Sequence, residues 1–260
     1  MKIKSKLSLT LGVTLQILMM SSLHAEFDWD DVNLEIHRKH YNNLPSVEES
    51  DAQLRVSTQF EPFLKKAEEV VVQYELEDSI GLRLIHRHFD LGEKQVMAEN
   101  YELVKNVPSL VTYAHSIEEV QDKKALPASW IFSGNADQEA LLFEASSDPE
   151  IRASSYKLQQ NPEFFEEMNT LLRDHQLNNL LSVAILKRDS LVAKKGEIYV
   201  EANTLPKNKS IVQVWNKNNK SPDSIRTSWS FKGPRQPKCV RVSQCIPNDR
   251  GEHIVYGWHQ

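Results

Sequence analysis

Two cysteines and eight glycines are few for a chain of 260 residues, and each shortage excludes something. Two cysteines cannot make a disulfide framework, so burial of apolar side chains must carry the fold. Cys239 and Cys245 stand close together near the C-terminus, and in an oxidising compartment they are expected to pair and close one small loop. Scarce glycine goes with the lack of a phosphate-cradling Gly-rich loop; G-x-S-x-G and H-E-x-x-H are missing too. A disulfide between the cysteines also argues against a thiol nucleophile. Beyond residue 25 no apolar run is long enough to span a bilayer. Positive charge is in deficit, with 31 Lys and Arg against 36 Asp and Glu.

What is present begins with an address. Lys2, Lys4 and Lys6 form a positive start, Leu7 to Met20 an apolar stretch too short to cross a membrane, and Ser21 to Ala25 a small-residue exit. Residues 1–25 therefore read as a bacterial-type signal peptide cleaved after Ala25, and the mature protein is expected in the periplasm or outside the cell. Cleavage removes three lysines and no acidic residue, taking the formal charge from −5 to −8. A chain this acidic is a poor general binder of nucleic acid, because phosphate affinity comes from Lys and Arg.

Residues 26–57 read as a charged lead-in, in which a short helix capped by Asp30 sets His37 and His40 one turn apart and Ser46 to Asp51 is an acidic linker. Thr58 to Glu61 has the form of a capping box, and Phe60, Phe63, Leu64, Ala67, Val70, Val71 and Tyr74 follow at helical spacing. Gly81 marks the break. Leu82 to Phe89 and Lys94 to Leu103 then read as a β-hairpin about the turn Asp90 to Glu93, with further strands at Ser109 to Ala114, Ala128 to Phe132 and Glu139 to Glu144.

The same order returns in the second half. Asn161-Pro162 opens a helix bearing Phe164, Phe165, Met168, Leu171 and Leu172, and strands follow at Ser182 to Lys187, Ile198 to Glu201 and Ser210 to Val212. Ser228-Trp229-Ser230-Phe231-Lys232-Gly233 answers Ser129-Trp130-Ile131-Phe132-Ser133-Gly134, and Glu201 answers Glu99. Tryptophan is rare, so this pair is hard to obtain by chance. The expected fold is α+β: two tandem related units, 58–148 and 149–260, each an amphipathic helix on a mostly antiparallel sheet.

Chemistry concentrates at His86 and His88. Two apart on a strand, they share a face and can converge on a divalent metal ion, zinc or iron. His115 is the candidate third ligand, and Glu99 is a candidate ligand or general base. His253 and His259 are further histidines that nothing in the sequence places near them. In the second half His86, Arg87 and His88 become Lys187, Arg188 and Asp189, and His115 becomes Asn216. A second feature is the basic run from Lys217 to Arg241, with Lys217, Lys220, Arg226, Lys232 and Arg235 interleaved with Trp229 and Phe231. It suits an anionic partner; the simpler account makes Trp229 and Phe231 core and the charges solvated. The expected function is an exported binding or interaction protein, and the alternative is a metal-dependent enzyme of hydrolase type centred on His86 and His88.

Overall fold

The computed structural model describes residues 27–132, 138–145, 148–186, 191–194, 196–204, 208–216, 218, 225–231, 244–247 and 253–255. The fold is mixed α and β: among these residues, six helices lie against one curled sheet. The helices are α1 (Leu34–Asn42), α2 (Val47–Val56), α3 (Phe60–Gln73), α4 (Ile117–Asp122), α5 (Pro149–Gln159) and α6 (Pro162–Asp174). The strands are β1 (Ile80–Leu84), β2 (Gln95–Val104), β3 (Val107–Ser116), β4 (Leu126–Phe132), β5 (Gln138–Glu144), β6 (Leu181–Ile185), β7 (Glu197–Thr204), β8 (Lys209–Asn216), β9 (Ile225–Arg226), β10 (Ser228–Ser230), β11 (Gln244–Pro247) and β12 (His253–Val255).

The sheet runs β10-β1-β6-β4-β5-β2-β3-β8-β7-β12-β11-β9. Its first and last members, β10 and β9, are separated by Thr227 alone. Ser228, Trp229 and Ser230 pair with β1, whereas Ile225 and Arg226 pair with β11. One short piece of chain therefore serves both edges, and the sheet closes on itself. Closure removes the exposed edges that an open sheet must otherwise protect.

Alternation along the strands then divides inside from outside. In β1, Ile80, Leu82 and Leu84 join the core built with α3 and α6, so Gly81 and Arg83 face inward. In β6, Leu181, Val183 and Ile185 go outward and Ser182 inward. Trp130 of β4 and Trp229 of β10 are both buried in this outer core, with Phe63, Phe164, Phe165 and Met168 from the helices. Over β2 and β5, a second outer cluster joins Val96, Ala98 and Phe143 to Val120 of α4, with Phe27, Trp29 and Leu34 packed against it.

Several local expectations are corrected here. Residues 80–99 are not a hairpin: β1 pairs with β6 and β10, and β2 pairs with β3 and β5. The chain leaves β1 at Leu84, and His86 and His88 lie in the irregular segment between β1 and β2, not on a strand. Gly81 sits inside β1 because the closing strand passes against it. A side chain there would meet the Trp229 carbonyl oxygen and Leu186 Cδ1.

Ser46 to Asp51 is not a linker but the start of α2. The Ser46 hydroxyl accepts from the Glu49 amide while the Glu49 carboxylate accepts from the Ser46 amide, a capping box. That S-x-x-E spacing stands plainly in the sequence. Thr58 plays no such part, since α3 begins at Phe60 with no side-chain cap, and α1 is capped by Asn33 rather than Asp30. The residues just before Asn161 form the helix α5, and Pro162 does open α6.

Candidate functional site: a polar cavity inside the closed sheet

Inward-facing side chains do not fill the barrel. They line a cavity of about 130 Å³ to which β1 to β8, β10 and Thr227 all contribute. On one wall, Ser129 of β4, Ser182 of β6, Arg83 of β1 and Ser228 of β10 lie side by side across four adjacent strands, since Arg83 partners both Ser182 and Ser228. The Ser129 hydroxyl lies 3.1 Å from that of Ser182.

On the other wall runs a carboxylate band. Glu99 of β2 partners Thr112 of β3, Thr112 partners Ser210 of β8, and the Ser210 hydroxyl donates to the Glu201 carboxylate of β7. Arg83 reaches across, with Nη2 3.7 Å from Glu99 Oε2. Between the polar bands, Met97, Leu110, Leu142, Leu186 and Val212 supply apolar surface.

The segment after β1 forms the rim. His86 Nδ1 donates to the Leu84 carbonyl at 2.8 Å; a carbonyl only accepts, so this bond fixes the proton on Nδ1. His88 Nε2 lies 3.3 Å from Glu201 Oε1. The two imidazole rings are 4.6 Å apart between centroids. The rings thus lie close together although the strand invoked for the pair is absent.

Helix α1 supplies the cover. Its Tyr41, 3 % exposed, lines the cavity, and burial pushes the phenol well above its ordinary range despite a hydrogen bond from the His88 backbone, so the hydroxyl stays protonated. Asn42 ties the cover down, donating to the Leu91 carbonyl at 3.0 Å and accepting from the Leu91 amide at 2.8 Å. Arg87 adds hydrogen bonds to the carbonyls of Asn42 and Pro45, and Ser50 of α2 donates to the Ile85 carbonyl.

His115 is not part of this site. In the β2–β3 register it partners Val96, whereas Glu99 partners Thr112, so His115 points to the opposite face. There it is fully buried, stacked on Tyr113 at 3.8 Å, with Nδ1 3.0 Å from Glu119 Oε1 and Nε2 3.2 Å from Asn100 Nδ2. The amide NH₂ donates to Nε2, so Nδ1 carries the proton toward Glu119. Burial holds this imidazole below its ordinary pKa, the Glu119 carboxylate opposing. Glu99 does lie in the cavity with His86 and His88. Among the described residues no three His, Cys, Asp or Glu side chains are placed to share a metal ion.

Comparison with protein-family models, with curated proteins and with solved structures finds no match to this chain.

The other sequence candidates fall elsewhere. His37 and His40 do meet a common partner, one that the sequence did not suggest: Glu139 of β5, with Oε1 3.4 Å from His37 Nδ1 and Oε2 2.6 Å from His40 Nδ1. Arg226 is exposed on β9, and Lys217, Lys220, Lys232 and Arg235 lie outside the described residues. Trp229, 2 % exposed, is core. Cys239 and His259 lie outside the described residues; for Cys245 and His253 only the backbone, in β11 and β12, is described. No helix among the described residues is long and apolar enough to cross a membrane.

Arg83, Ser182 and Tyr41 were missed by sequence reasoning. For Arg83 a signal existed: a lone charge inside the apolar run Ile80-Gly81-Leu82-Arg83-Leu84. The Tyr41 contact depends on long-range packing that no local pattern announces.

Proposed function

We propose that this is an exported binding protein that holds a small molecule inside its closed sheet, under the cover provided by α1. The cavity carries the reading. An interior lined by mixed polar and apolar side chains from nearly every strand is the usual form of a small-ligand site, and barrel mouths are a common place for one. Its polar groups come from rigid strands, which hold them in fixed positions. Export is supported by the residue pattern from Lys2 to Ala25.

The site is best understood as the product of an internal duplication. Supporting this, the strands that echo one another in sequence are neighbours in the sheet: β1 beside β6, and β3 beside β8. β4 partners β6 through Trp130 and Val183, while β10 partners β1 through Trp229 and Leu82. β5 runs parallel to β2, and β11 parallel to β7. Helices α3 and α6 share one core. A twofold relation between the halves would produce each of these correspondences, and it would bring Glu99 and Glu201 into one cavity.

Thermal denaturation of the mature chain, 26–260, against a panel of small organic molecules tests the reading. A ligand at a hundred times its dissociation constant adds about 2.7 kcal/mol of stability. The shift should vanish in Thr112→Phe and in Val212→Phe, two fillings from neighbouring strands, each verified as folded by circular dichroism. No stabilising compound, or stabilisation unaffected in both folded variants, would refute the site.

A further inference from the structure

We infer that the ligand is a small organic cation, an ammonium or amidinium compound with a compact hydrocarbon body. This rests on the cavity being the binding site and asks what its charges and size select. Among the described residues, three lining side chains other than histidine are formally charged: Arg83, Glu99 and Glu201. Arg83 reaches Glu99 and offsets it. Glu201 is held at Oε1 by both the Ser210 hydroxyl and His88, contacts that leave its charge uncancelled while the imidazole is neutral. Glu144, fully buried and the register partner of Glu99 on β5, sets a further carboxyl group beside that wall. Among the described residues, carboxyl groups outnumber the single guanidinium at this wall, and in a recess lined largely by apolar side chains that excess disfavours an anion and draws in a cation.

Size and surface narrow the class. The volume of about 130 Å³ is slightly below that of an engineered cavity in another protein that takes benzene, so a body of about six heavy atoms fits. Leucines 110, 142 and 186, with Met97 and Val212, match a hydrocarbon body rather than a fully hydroxylated one. The hydroxyls of Thr112 and Ser228 stand on opposite walls as acceptors for the remaining N–H groups of a cation held at Glu201. A bare divalent ion would leave the apolar wall unused and would lack a set of three protein ligands among the described residues.

The test compares cyclohexylamine, cyclohexanol and cyclohexanecarboxylate by calorimetric titration of the mature chain at neutral pH. The amine should bind at least tenfold more tightly than the alcohol, and the carboxylate more weakly than either. Glu201→Gln, which keeps the shape and an acceptor for Ser210, should bring the amine-to-alcohol ratio toward one. Glu99→Gln gives a second reading at the paired carboxylate: by freeing Arg83 it should weaken the amine and strengthen the carboxylate. An alcohol or carboxylate bound as tightly as the amine would overturn the cation while leaving the cavity reading intact. So would an amine preference unchanged in both folded variants. Binding of none of the three would count against the cavity reading itself, and the cation would fall with it.

Discussion

Closure of the sheet can be tested at one atom. Gly81 of β1 faces inward where β10 crosses it, and a methyl group there would fall on the Trp229 carbonyl oxygen and Leu186 Cδ1, with Ser230 Cα at 3.1 Å. The leucine can rotate away. The carbonyl cannot, because Trp229 is locked in the outer core, its ring 5.0 Å from Phe60 and its backbone in register with Leu82. Gly81→Ala must therefore push β10 off β1.

Overpacking of this kind costs about 1–3 kcal/mol. Reduced freedom of the unfolded chain returns only about 0.4–1 kcal/mol. The central net is a destabilisation of about 1.3 kcal/mol, and at roughly 2–4 °C per kcal/mol for a chain of this size Tm should fall by about 3–5 °C. Gly92→Ala is the control, since its added carbon would meet only the movable end of Gln95; its effect should stay within about 0.5 kcal/mol. Differential scanning calorimetry of both variants reads the difference. A Gly81→Ala protein as stable as the parent would mean that β10 does not lie against β1 as described, and the closed barrel would fall with it.

Three further outcomes are expected. Burial alone would raise the Glu139 carboxyl, but hydrogen bonds from His37 and His40 outweigh it and hold the group below 4.5; its stabilisation is thus present above that value and lost as pH falls through the lower folded one. Glu139→Gln should cost roughly 1–3 kcal/mol at pH 7 and flatten the urea midpoint between pH 5 and pH 3, and an unchanged acid limb would refute the pairing. His115, held below its ordinary 6.5 by burial, takes up its proton more readily in the unfolded chain; stability should decline as pH falls below 6.5 and His115→Gln should remove that decline in the same titration. Asn42→Ala strips both hydrogen bonds from the buried Leu91, at a cost of roughly 1–3 kcal/mol. Amide exchange should then speed at Leu91 and not in β6, and uniform exchange behaviour would show that α1 is no separate cover.

Much of this fold was legible where a pattern was both local and strong. The 3.6-residue repeat of Phe63, Ala67, Val70 and Val71 located α3, and Pro162 located the start of α6. The echo of Trp130 in Trp229 marked two buried residues of one outer core. Strand partners were not legible. Leu82 to Phe89 followed by Lys94 to Leu103 has the apolar content and turn residues of a hairpin, yet β1 pairs far along the chain with β6 and β10. At the histidines, His86 and His88 lie close together without the strand that suggests their nearness, and His115 falls on the opposite face because strand parity cannot be fixed before register is known.

The alternation Ile80-Gly81-Leu82-Arg83-Leu84 would ordinarily mean one face on a core and one in water. Here both faces are enclosed, and what the polar face meets is a cavity. Nothing within a single strand separates these cases, because hydroxyls, a guanidinium and carboxylates serve equally on a solvated face. The distinction is made at the other end of the chain, where Ile225 to Ser230 ties β11 to β1 and turns an open sheet into an enclosure. A charge that would cost nothing on an open sheet, such as Glu201 at 9 % exposure, then becomes a buried one that must be answered by Ser210, by His88 and, on the reading advanced above, by a bound cation. It follows that residues lining the cavity and residues closing it should fail differently. Glu201→Gln should alter selectivity with little loss of stability, and Gly81→Ala should lower stability and loosen binding of every ligand alike.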